Sequence, residues 1–226
     1  MFFHPMDFLI FIALGISMWA QTKVKGNFHK WSEVATRTGL TGAETARRIL
    51  DSNGLHHIPI EVVQGTLSDH YDPIKKVVRL SQTVHDGRSI ASVSVAAHEV
   101  GHAIQHQQSY GALMIRHRLF PLANLSSGIA PFLFIIGILL HQSSLIGIGI
   151  LFFSAAVAFQ LITLPVEFDA SNRARQLMLS EGILYNEEEK GVKEVLNAAA
   201  LTYVAAALMA LLELLKFVMI FVQRRE

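Results

Sequence analysis

Val95-Ala-Ala-His98-Glu99-Val-Gly-His102-Ala-Ile-Gln-His106 is the stretch on which the reading of this chain turns. Its residues are small or apolar apart from the histidines, Glu99 and Gln105, and the seven residues before His98, 91–97, carry no charge. That composition predicts an α-helix beginning near Arg88, after the Asp86-Gly87 break. Helical residues four apart share a face, with Cβ atoms about 5–6 Å apart. His98 and His102 can therefore converge on one zinc ion, and Glu99 beside them can take a proton from its water. Gly101 costs about 1 kcal/mol against alanine inside a helix, which close packing at a site would explain. The bland alternative is a buried or membrane-facing helix whose histidines only hydrogen-bond. Two histidines and a glutamate on so apolar a helix would then each need a partner.

The rest of the chain is unusually apolar. Of 226 residues, 51% are hydrophobic and 16% charged, with mean hydropathy +0.38, which points to an integral membrane protein. A net charge of +1 gives no case for a nucleic-acid partner. Without cysteine there is neither a disulfide nor a thiolate ligand, so any metal must be held by His, Asp or Glu.

Residues 1–22 read as a retained N-terminal transmembrane helix. The start lacks the Lys or Arg of a signal peptide, and Trp19, Lys23 and Lys25 form an interface anchor. Residues 23–118 are polar and hold the H-E-x-x-H helix. Thr41 and Glu44 make a capping box for a helix that stops at Asn53-Gly54. The β-like runs 57–63 and 75–81 predict a loose hairpin, with Pro59 putting the first run on an edge. In 119–164, Pro121, Pro131 and His141-Gln-Ser-Ser144 divide a transmembrane hairpin into spans 122–140 and 145–164, each near the ~20 residues a bilayer needs. Residues 165–197 are polar again, and 198–226 are a last transmembrane helix ending in Arg224-Arg225. Within it Glu213 has Lys216 as a helical partner.

Four spans put 23–118 and 165–197 on one side of the membrane. The first segment carries twelve Lys or Arg against eight Asp or Glu, while 141–144 is uncharged. The positive-inside rule makes that side cytoplasmic, although Arg224 and Arg225 pull mildly the other way.

A catalytic zinc takes three protein ligands and leaves one position for water. His106 is nearest in sequence, yet eight helical residues carry it about 12 Å past His98. A histidine at 108 would mark a metzincin, but that residue is Gln108. The returning segment opens Leu164-Pro165-Val-Glu167-Phe-Asp169-Ala-Ser171, where Pro165 suits either the first turn of a new helix or a kink. Glu167 and Asp169 stand at the membrane edge, where a carboxylate is functional by default. Either could be the missing ligand, and pairing with Arg173 or Arg175 is the plainer alternative.

H-E-x-x-H, an apolar hairpin and then a Glu-bearing helix resembles the membrane gluzincins of the HtpX and CAAX-prenyl-protease type. Closer still, Leu40-Thr-Gly-Ala-Glu44, Asp69-His-Tyr-Asp-Pro73, Ala97 to His106, Leu164 to Ala170 and Leu196-Asn-Ala-Ala-Ala-Leu-Thr-Tyr203 together resemble the YugP-like neutral zinc metallopeptidases of bacteria, over nearly the whole chain. The resemblance implies His98, His102 and Glu167 as ligands of one Zn2+ per chain and Glu99 as general base. It also implies an endopeptidase that attacks the peptide bond with a zinc-activated water. One departure matters: the HtpX-type helix reads Glu-x-x-Ala-Asp, and here Ser171 stands four after Glu167. The aspartate that would orient a ligating histidine is thus missing, and Asp169 is left to support Glu167 or to replace it. Tyr203, His70, Tyr71 and Arg173 are candidate donors to an oxyanion.

The expected fold is a mainly α integral membrane protein of about four transmembrane helices, with a zincin-like α+β catalytic segment carrying a short β-hairpin. The expected function is membrane-bound zinc proteolysis at the cytoplasmic bilayer surface, on a membrane-associated peptide or protein. A non-catalytic scaffold with a structural zinc, or a membrane zinc hydrolase of a non-peptide substrate, is the alternative.

Overall fold

Four long apolar helices decide the architecture, and they are those anticipated from composition. A computed structural model describes residues 5–223; Arg224 and Arg225 lie outside them. The order is α1 (Pro5–Ser32), α2 (Gly42–Ser52), β1 (Ile60–Val63), β2 (His70–Asp72), β3 (Val77–Ser81), α3 (Gln82–His85), α4 (Ile90–Gln107), α5 (Gly111–Leu139), α6 (Ser143–Ser180) and α7 (Glu189–Gln223). Among the described residues α1, α5, α6 and α7 are long and apolar enough to cross a bilayer. No more than 28% of the most apolar window of any of them is buried. Side chains such as Phe8, Phe132, Leu139 and Leu151 point outward, as lipid-facing residues must. The protein is a mainly α-helical membrane protein.

Two of the prolines read as breaks are not breaks. Pro121 and Pro131 lie inside α5, and Pro165 inside α6 rather than opening a new helix. Only the turn around His141, itself at φ 54°, interrupts the hairpin.

The chain divides into two compact units. The first comprises, of the described residues, 5–20, 111–165 and 202–223. Its centre is aromatic: Phe134 stacks on Phe217 with centroids 3.6 Å apart, and Phe153 meets both edge-on. Gly137 lets Ile146 approach, since a Cβ there would fall 2.8 Å from the Ile146 side chain. Lys216 pairs with Asp7 of α1, a partner from another helix of the same unit.

The second unit, residues 21–110 and 166–201, is built around α4. This helix is buried on nearly every side, which is why its sequence shows no clean polar face. The Ser89 side chain caps it at the Ser92 amide. Ile49 and Leu50 of α2, Val78 and Leu80 of β3, and Met178 of α6 share its core. The Thr41–Glu44 capping box is formed in both directions, and Gly54 at φ 72° ends α2 as anticipated.

The sheet corrects the strand pairing drawn from the sequence. Its order is β1-β3-β2, with β1 parallel to β3 and in register Ile60↔Val78 to Val63↔Ser81. The hairpin is instead β2–β3, antiparallel and in register His70↔Arg79 to Asp72↔Val77. Pro59 does precede an edge strand. Asp72 makes the hairpin tight, accepting from the Ile74 and Lys75 amides. Arg79 of the central strand then ties both edges together, at 3.1 Å to Glu61 and 2.8 Å to Asp72.

Candidate metal centre

His98 and His102 project from one face of α4, one turn apart, with ring centroids 4.7 Å from each other. Glu167 of α6 meets them. Its Oε2 lies 3.3 Å from His98 Nε2 and 3.5 Å from His102 Nε2. One ligand atom from each of the three lies within 4.8 Å of the other two. Ligands at ~2.0–2.1 Å from a tetrahedral zinc stand about 3.3–3.4 Å apart. The two short separations match edges of such a tetrahedron, and two imidazoles with a carboxylate are a donor set that suits zinc. The group could hold a metal ion.

Gly101 explains how Glu167 comes so near. A Cβ at this position would sit 2.7 Å from the Ala170 carbonyl oxygen, so α4 and α6 touch backbone to backbone. Glu167 is 2% exposed at this contact, and Glu99, on α4 itself, is 8% exposed. Glu99 points toward the sheet, where its Oε2 accepts the Tyr71 amide at 2.9 Å. The Tyr71 hydroxyl lies 2.9 Å from His106 Nδ1.

The charges respond to this packing. Burial by itself would lower the His102 pKa, but the Glu167 carboxylate and Glu99 more than offset it and the net direction is up. Burial, helped by Asp72, pushes the Tyr71 hydroxyl up to about 12, so it is a neutral group at any physiological pH. Burial and nearby Lys76 lower His106.

Of the residues singled out from sequence, His98, His102 and Glu167 come together, and Glu99 sits between the histidines on α4. Asp169 is not in that group; it accepts from Gln105 and from Arg173 Nε, the latter at 2.5 Å. Arg173 is thus engaged, and its Nη1 also reaches Gln108. His106 pairs with Tyr71 instead of joining the group. His70 is exposed, its ring on the Ser68 carbonyl, and Tyr203 belongs to the other unit.

Three features escaped the sequence reading. Gln105 Oε1 meets His102 Nδ1 at 3.0 Å, and the Ser171 hydroxyl meets His98 Nδ1 at 3.1 Å. A buried amide three residues after His102 on an apolar helix was a usable signal. Ser171 enters the sequence pattern only as a missing aspartate. The Tyr71 amide on Glu99 is a backbone contact and leaves no trace in residue identity.

The sequence profile of a family described as "Putative neutral zinc metallopeptidase" matches residues 6–222. The chain is 64% identical over 219 residues to "Putative membrane protease YugP" of Bacillus subtilis (strain 168), covering 97% of each chain. No solved structure matches it.

Proposed function

The chain belongs to the neutral zinc metallopeptidase family, and on that premise we propose that it is a membrane-bound zinc endopeptidase of the gluzincin type. The observation that carries this reading is the meeting of His98 Nε2, His102 Nε2 and Glu167 Oε2, with Glu99 next to the first histidine. These three residues would hold one zinc per chain. A structural zinc is usually closed by four protein ligands, whereas among the described residues this group has three members. That supports a position left for water and hence catalysis.

When bound, zinc would lower the pKa of a water and polarise the scissile carbonyl. Glu99 is the general base: it takes the water's proton on its carboxylate and returns it to the leaving amine. The Tyr71 amide fixes Glu99 Oε2, which leaves Oε1 to carry that proton. Because Tyr71 lies on the edge strand β2, the strand that aligns the base also flanks the site where an extended peptide would lie. Residues 23–118 and 165–197 would form the peptidase part; the charge bias of the first supports the cytoplasmic face for it, with membrane-associated peptides or proteins as its substrates.

Metal analysis with a peptidase assay on the purified protein tests this. Wild type should bind one zinc and cleave. Glu99→Gln should keep the zinc and lose about 10²–10⁴-fold in rate, while Glu167→Ala should lose the zinc. A fully active Glu99→Gln protein would sink the mechanism.

A further inference from the structure

Gln105 lies on α4, three residues after His102, and is 0% exposed. A buried primary amide must place two N–H donors and one carbonyl. Its nitrogen is 2.8 Å from the Val166 backbone carbonyl and 2.8 Å from Asp169 Oδ2. Both oxygens only accept, so the amide has one workable orientation; turned over, its carbonyl would face two acceptors. Oε1 is therefore the atom toward His102 Nδ1, at 3.0 Å. An amide oxygen has no hydrogen to give, so Nδ1 carries the proton. In the neutral ring the lone pair is then on Nε2, the atom 3.5 Å from Glu167 Oε2.

We propose that Gln105 is a positioning residue that selects the Nδ1–H tautomer of His102 and aims its Nε2 lone pair at the metal position. Val166 and Asp169 flank Glu167, so the turn of α6 that supplies the third carboxylate also orients the second imidazole. Arg173 braces the arrangement: its Nε holds Asp169 Oδ2 at 2.5 Å, and its Nη1 reaches Gln108 Oε1 at 2.7 Å, just past the end of α4. Asp169 thereby acts one residue removed from the ion, through an amide, and is not a ligand. The metal half of this inference rests on the zinc reading above; in the metal-free protein the neutral ring chooses between Gln105 Oε1 at 3.0 Å and Glu167 Oε2 at 3.5 Å, and the shorter contact favours Nδ1–H.

The test uses the full-length, metal-free protein in detergent, labelled with ¹⁵N-histidine and held at alkaline pH where the rings are neutral. Long-range ¹⁵N–¹H correlations report which ring nitrogen of His102 bears the proton, with the signal assigned by its loss in His102→Asn. Zinc affinity is measured in parallel by chelator competition, for wild type, Gln105→Met and the exposed neighbour Gln107→Met. The expected result is Nδ1–H in wild type, loss of that preference in Gln105→Met with zinc bound about 10–100-fold more weakly, and no change in Gln107→Met. An Nε2–H ring in wild type overturns the inference, and so does a Gln105→Met protein with the wild-type tautomer and affinity. If Gln105→Met does not fold, the wild-type tautomer decides alone. A wild type that shows Nδ1–H yet binds no zinc would defeat the zinc reading and leave the positioning of His102 standing.

Discussion

Ser171 stands where the HtpX-type pattern carries an aspartate, and its hydroxyl lies 3.1 Å from His98 Nδ1. A hydroxyl accepts more weakly than a carboxylate, so this histidine is oriented with less force. Ser171→Ala should weaken zinc binding, by about tenfold at the low end of such effects. Ser171→Asp should restore or exceed wild-type affinity in the same chelator competition. Tyr71 gives a pH prediction with a definite sign. Burial raises its folded-state pKa to about 12, above the unfolded value near ~10. The folded protein therefore keeps a proton that the unfolded chain has released, and stability is lost as pH rises from about 10 toward 12. Denaturant titrations across that window should show the decline in wild type and not in Tyr71→Phe, and the tyrosinate absorbance that appears late in wild type should be lost in Tyr71→Phe.

At the scale of elements, the contact of α4 with α6 sets the site. Alanine at position 101 would gain about 1 kcal/mol of helix propensity, but its Cβ would fall 2.7 Å from a backbone oxygen that cannot swing aside. Overpacking of that kind typically costs about 1–3 kcal/mol. Gly101→Ala should lower the melting temperature and weaken zinc binding, because the backbone it displaces is at Ala170, three residues beyond Glu167. The sheet teaches a complementary lesson. Alternation and turn residues marked β1 and β3 as strands, yet not as parallel neighbours. Two apolar runs separated by Gly65, Asp72 and Pro73 read naturally as a hairpin. The short β2, with His70 and Asp72 in it, looked like turn; its pairing depends on Arg79 and on Ser81, whose amide and hydroxyl bind Asp69. Asp69→Ala should therefore loosen β2, leaving the buried Ser81 groups unpaired at a cost of about 1–3 kcal/mol. Proteolysis or amide exchange in 68–72 would report it.

For the whole molecule, orientation in the bilayer is the proposal most open to direct test. The chain has no cysteine, so single cysteines can be introduced without interference. With the peptidase part cytoplasmic, a membrane-impermeant maleimide on intact cells should label Gln142→Cys and leave His56→Cys unlabelled until the cells are opened; both positions are exposed. The reverse pattern would invert the topology. Stripping the metal with a chelator should lower the melting temperature and re-adding zinc should restore it, since a ligand that binds only the folded state stabilises it by mass action.

The sequence by itself determined the membrane class, the four long helices, the α2 capping box and the identity of His98, Glu99 and His102 as a helical constellation. Each follows from local rules: hydropathy over a bilayer's width, a side chain reaching its own helix's amides, and a four-residue spacing on one face. Glu167 came from topology and resemblance together, and no spacing rule could separate it from Asp169. The tertiary structure puts Glu167, and not Asp169, beside the two histidines. Contact between α4 and α6 at Gly101 brings Glu167 to the histidines and turns Asp169 toward Gln105 and Arg173. Strand order, the Tyr71 amide on Glu99 and the Gln105 amide on His102 were decided there as well. All are contacts between segments distant in the chain, fixed by which surfaces bury against which, and a linear pattern does not encode that choice residue by residue.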